Sequence, residues 1–247
     1  MAGHSKWANI QHRKGRVDAA RGKLWAKLSK AIIIAAQSGG GDPAANHRLR
    51  RAIDDAKAMS VPKDNIARAI KRGTGELGGD RVDEIVYEGY GPGGVAVLCE
   101  AATDNRNRTN PELKSIFSKH GGELGKSGCV SYLFERKGVF VFDGENCDEE
   151  AVTEVAMEHG GEDIESLEEG KLQVTCAPEN HPDLLDAFRS AEVEPEMSQV
   201  SQTPTTTVDL DVETAQKVLR LLEVLDDHDD IQNVSTNLNI TDEMLIE

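Results

Sequence analysis

Six cationic or imidazole side chains crowd the start of the chain: His4, Lys6, His12, Arg13, Lys14 and Arg16. No acid lies between Gly3 and Arg16, and Trp7 sits among the bases. Lysine and arginine attract phosphate, with an affinity that ignores base sequence and falls with salt. An indole can stack on an exposed base or wedge into a groove. It can equally pin this segment onto the helices that follow. His4 and His12 have no third ligand spaced to make a metal site. Arg21, Lys23, Lys27 and Lys30 continue the run, and residues 1–30 carry seven net positive charges. That density points to a polyanion as partner.

Two further clusters carry potential chemistry. In "TDNRNRT", Thr103–Thr109, Arg106 and Arg108 are placed to meet phosphate, RNA or protein, while Asn105 and Asn107 can read a base edge. Turn chemistry explains the same residues, because Asp and Asn hydrogen-bond locally in loops. "DDHDD", Asp226–Asp230, offers oxygen ligands for a divalent cation, and with "TDNRNRT" it would be the only basis for a metal-dependent nuclease. It lacks a looped ligand geometry and reads better as a solvated turn. No Ser-His-Asp order, metal motif or activated cysteine assembles. The expectation is therefore a protein without an enzymatic step and without a cofactor. Cys99, Cys129, Cys147 and Cys176 form no CxxC pair and are expected as reduced thiols in a cytoplasmic protein.

The elements that must hold these residues follow from charge and periodicity. The 247 residues carry a net charge of −16, yet residues 1–72 hold 16 Lys/Arg against 5 Asp/Glu and the remainder 12 against 39. A basic module thus precedes an acidic body. Leu24, Leu28, Ala31, Ile32 and Ala35 recur at helical spacing, which predicts a helix over 17–37 with Arg16, Lys23, Lys27 and Lys30 on a separate stripe. Asp42-Pro43 reads as a helix start, and the second helix should run to about Met59. A third follows Ser60-Val61-Pro62. Gly73, Gly75, Gly78 and Gly79 read as a linker. Strands are expected at 82–88 and 95–101 around "GYGPGG", then a helix from Asn110 capped by Thr109 with Glu112. A further strand is expected near 129–135. Residues 138–203 give the order βαββαβ, a split-βαβ plait, and the tail adds a strand at 205–210, a helix and a strand. The fold class is α+β: a three-helix domain followed by two α/β plait-like, ferredoxin-like domains, one inserted in the other. The expected division is 1–80, then 81–136 with 204–247, and 137–203 as the insert. The longest aliphatic run, Ala31–Ala36, is too short to span a membrane.

Three stretches, "MAGHSKWANIQHRKGRVDAARGK", "EGYGPGGVAVLCEAATDNRNRT" and the "GG.LG..G.V" run at 121–130, resemble the YebC/PmpR family, which includes the mitochondrial translational activator of cytochrome oxidase. The resemblance covers essentially the whole chain. It implies a helical N-terminal domain with two α/β domains, and a bacterial-type cytoplasmic member. It further implies a transcriptional regulator that binds DNA or, alternatively, a ribosome-associated translation factor that relieves stalling at proline runs. The residues expected to meet nucleic acid are Lys6, Trp7, His12, Arg13, Lys14, Arg16, Arg21, Lys23, Lys27, Lys30, Arg106 and Arg108.

Overall fold

The computed structural model describes Trp7, residues 21–143, 147–167 and 170–245. Helices α1 (Arg21–Gly39), α2 (His47–Ala58) and α3 (Lys63–Gly73) form the basic module. Ile32, Ile33 and Ala36 pack against Leu49, Ile53, Ala56 and Ile66. The close approach of α1 and α3 requires Gly73, where a Cβ would lie 2.5 Å from the Ile33 carbonyl oxygen. The start of α2 differs from expectation. Asp42 shapes a separate turn, accepting from Ala44 N at 2.9 Å. The cap is Asn46, which accepts from Leu49 N at 3.0 Å while its amide donates to the Ala35 and Gly40 carbonyls. Asn46 satisfies the end of α1 and the start of α2 together, which Asp42 has no amide to do.

Two four-stranded antiparallel sheets follow. The first contains β1 (Asp83–Tyr90), β2 (Ala96–Thr103) and β3 (Glu123–Leu124), with α4 (Arg106–Lys119) between the last two. The second contains β4 (Phe134–Phe142), β5 (Gly161–Ser166), β6 (Leu172–Cys176) and β7 (Met197–Pro204), with α5 (Glu149–Glu158) and α6 (His181–Ser190) on one face. After α7 (Val212–Asp226), β8 (Ile231–Thr236) returns to the first sheet. The orders are β3-β1-β2-β8 and β5-β6-β4-β7, the latter that of a split-βαβ plait. Val97, Cys99 and Val234 meet Leu113, Phe117, Val218 and Leu222 in the first core, whereas Phe140, Phe142 and Val174 meet Leu184 and Phe188 in the second. The mixed α+β class with a helical N-terminal region agrees with the sequence reading.

Several boundaries move. The strands expected at 129–135 and from 138 are one continuous β4, entered through a 3-10 turn at Ser131–Leu133. Gly138 does not break it. A Cβ there would lie 2.6 Å from Cys176 Sγ and 2.9 Å from His181, so the glycine lets β6 and α6 close over the strand. The strand expected at 205–210 reduces to one parallel bridge between Val208 and Leu238. Helix α4 begins at Arg106, because Asn105 rather than Thr109 caps it, accepting from Arg108 N at 3.1 Å. No helix among the described residues is long and apolar enough to cross a membrane. The four cysteines are free; burial pushes the Cys99 thiol up, and the Cys176 thiol to about 11.

One carboxylate organises the loop between β3 and β4. Glu88 is buried, and its oxygens accept from the backbone N–H groups of Gly128, Val130 and Ser131 at 2.7–2.8 Å. Burial opposes its charge, but these donors outweigh it and hold the carboxyl below its usual range. Glu88→Gln puts an amide Nε2 opposite at least one of these N–H groups in place of an acceptor and should cost about 2 kcal/mol in denaturant unfolding. An unchanged midpoint would mean that the glutamine amide satisfies this loop as well as the carboxylate does.

Candidate nucleic-acid interface

Lys6, His12, Arg13, Lys14 and Arg16 lie outside the described residues. Arg21 opens α1. Trp7 is described, and it is not presented to a ligand. Its ring is 2% exposed in the core of the first sheet, and its Nε1–H donates to the Val234 carbonyl of β8 at 3.1 Å. The indole is therefore packed into the α/β body rather than onto the three-helix bundle.

The lysine stripe of α1 meets the "DDHDD" turn. Lys23, Lys27 and Lys30 share a helix face by their i, i+4, i+7 spacing. Lys27 Nζ donates to Asp226 Oδ1 at 2.9 Å and to the Asp226 carbonyl at 2.6 Å. Lys30 Nζ reaches Asp230 Oδ1 at 2.6 Å and the Asp229 carbonyl at 2.9 Å. Lys23 Nζ bonds the Asp227 carbonyl at 3.1 Å, with that carboxylate 4.0 Å away. The stripe faces away from the bundle core as expected, but toward carboxylates rather than open solvent.

"TDNRNRT" converges on the same turn. Asp230 is buried and accepts from Arg108 at 2.8 Å, Thr109 Oγ1 at 2.7 Å and Thr103 Oγ1 at 3.2 Å, besides Lys30. Burial alone would raise its pKa; the donors from Lys30, Arg108 and Thr109 overcome that and keep the carboxyl well below its ordinary value. Arg106 lies outside the network, in an exposed pair with Asp83 at 3.0 Å. His228 Nε2 stands 3.1 Å from Glu112 Oε2. Beside the turn opens a cleft of about 1100 Å³ whose lining includes Lys23, Lys30, Arg108, Lys119, Asp104 and Glu112. Among the described residues no group of three His, Cys, Asp or Glu side chains is disposed to hold a metal.

Free positive charge lies elsewhere on the helical module. Arg50, Lys63, Arg68 and Lys71 are exposed and meet no carboxylate among the described residues. Arg68 and Lys71 fall within the third expected helix but are not among the residues expected to meet nucleic acid. The available signal was their i, i+3 spacing beside the buried Ile66 and Ala69. A second contact missed from sequence joins the module to the second sheet. An Arg51 guanidinium N–H donates to Nδ1 of buried His181 at 2.9 Å, and the ring stacks on Phe140. Burial, with the Arg51 charge, lowers the His181 pKa to about 3, so the ring is neutral.

Comparison with known proteins agrees with this architecture. Residues 5–76 match the family model "TACO1/YebC protein N-terminal domain" and residues 82–238 match "TACO1/YebC second and third domain". The chain is 68% identical to a probable transcriptional regulatory protein of Rhodopirellula baltica, over all of both chains. It is 52% identical to one from Maridesulfovibrio salexigens, over 100% of this chain and 99% of that one. The crystal structure of a conserved hypothetical protein from Aquifex aeolicus superposes with a TM-score of 0.85 at 46% identity, covering 94% of this chain and 96% of the other.

Proposed function

Because this chain belongs to the TACO1/YebC family, we propose that it regulates gene expression by binding nucleic acid, as a DNA-binding transcriptional regulator with no enzymatic step and no cofactor. The observation that carries this reading is the set of exposed cations on α2 and α3, Arg50, Lys63, Arg68 and Lys71, which meet no carboxylate among the described residues of a chain whose net charge is −16. Exposed cations grouped on two short helices of an acidic chain make a local patch that a polyanion can meet. The sequence before Arg21 adds further basic residues, Lys6, Arg13, Lys14 and Arg16. The names of the relatives as transcriptional regulatory proteins support the regulatory reading. Four free cysteines suit a cytoplasmic site of action.

The test is affinity across a salt series on a DNA duplex and on ribosomal RNA. Lys63→Glu, Arg68→Glu and Lys71→Glu together should leave melting within about 1 kcal/mol, since these exposed helix positions tolerate Glu. The slope of log affinity against log salt should flatten by roughly 2–3 units on duplex DNA. Unchanged affinity and slope on both ligands would remove this face from the interface. Binding confined to ribosomal RNA would replace transcription by translation.

A further inference from the structure

The lysines best placed to form a phosphate-binding row are already occupied. We propose that the acidic turn Asp226–Asp230 is a built-in competitor for nucleic-acid phosphate: it holds Lys23, Lys27 and Lys30, and the stripe binds a polyanion only by exchanging these carboxylates and carbonyls for phosphate oxygens. This rests on the nucleic-acid reading above and adds a regulatory step to it.

The exchange is favoured by the geometry. Each lysine of the row has its own acceptors on one five-residue turn, so the turn presents oxygens along the helix as a phosphate backbone would. The row is graded in exposure. Lys23 and Asp227 are 53% and 57% exposed, Lys27 and Asp226 17% and 19%, and Lys30 and Asp230 20% and 1%. The outer pair sits in water, where an ion pair is weak and screened. The inner end is anchored, because Asp230 is also held by Arg108 and Thr109. Displacement therefore starts at Lys23, which lines the open cleft, and proceeds inward to Lys30, while Arg108 and Thr109 keep Asp230 in place. Lysine suits such an exchange, with three rotatable donors on a flexible stem. While the turn is seated, exposed Asp227 and Asp229 also repel an approaching polyanion.

The experiment compares the full chain with Asp226→Asn, Asp227→Asn and Asp229→Asn combined, leaving Asp230 intact. The probes are a fluorescein-labelled DNA duplex of mixed sequence and a ribosomal RNA transcript. A control variant, Glu149→Gln, Glu150→Gln and Glu154→Gln on α5, changes net charge equally at a distance. The turn variant should bind roughly tenfold more tightly at low salt, with the gain fading as salt rises, and the control should stay near wild type. Equal gains from both variants, or none from the turn variant, would overturn the competitor while leaving the nucleic-acid reading in place. No binding by any form would overturn both. A second measurement needs no variant. Carbodiimide should couple Lys27 to Asp226 in the free wild-type protein, and added nucleic acid should suppress that crosslink; a yield unchanged at saturating ligand would show that the turn never leaves.

Discussion

Trp7→Ala is expected to cost about 3–5 kcal/mol of folding stability and to lower the melting temperature by roughly 10 °C. The ring is 2% exposed among the side chains of the first core, and alanine leaves most of its volume empty. The Val234 carbonyl also loses its indole donor. Trp7→Phe keeps most of the apolar contact and should cost far less, about 1 kcal/mol for the hydrogen bond together with a smaller packing loss. Thermal melting of the two variants reads both effects. A base-stacking Trp7 would give the opposite pattern: an unchanged melting temperature and binding weaker by about 1–3 kcal/mol. That pattern would mean that the buried position of the indole does not persist in solution.

The second large effect is expected at Asp230. Asp230→Ala leaves Lys30, Arg108, Thr103 and Thr109 without their shared acceptor. Removing one member of a buried ion pair costs about 3–5 kcal/mol. Arg108 is 47% exposed on its side chain and can turn to water, which places the loss near the lower end. The pH dependence identifies the cause. A carboxyl held below its unfolded value contributes stability that is complete above that value, about pH 4, and is lost as pH falls toward the folded one. The gap between wild type and variant should therefore stay constant from about pH 8 to about pH 5 and narrow below about pH 4. A gap that widens on acidification would assign the loss to a different group. Arg108→Ala belongs to the same network and should also lower stability, whereas Arg106→Ala, in an exposed pair, should not.

The α+β class and the order of elements were legible because they rest on local patterns. Leu49, Ile53 and Ala56 recur at helical spacing, and "GYGPGG" marks a turn between two apolar-bearing stretches, 82–88 and 95–101. Caps were misplaced where several capping residues fall within four positions. Asp42 and Asn46 compete for α2, and Asn105 and Thr109 for α4; the choice is made by distant groups, the Ala35 carbonyl in one case and Asp230 in the other. The candidate site was legible as three separate motifs, not as one place. Lys27 and Asp226 stand 199 positions apart, and nothing local marks either as the other's partner. Glu88 shows the same limit. Its alternation along β1 suggests a solvent-facing residue, while its donors lie some forty positions further on.

The return of β8 has a consequence for how the chain is made. Ala96 N donates to the Asn237 side chain across 141 positions, and Val97 pairs with Thr236. All four strands of the second sheet are synthesised within that interval. The second unit therefore has every strand it needs while β2 still has a bare edge, and such an edge invites pairing with another chain. When β8 arrives it must also find the correct alignment. A slip of one residue would turn Val234 out of the core and move its carbonyl away from the Trp7 indole. The contact between Trp7 and Val234 is thus available only in the alignment that the final structure has.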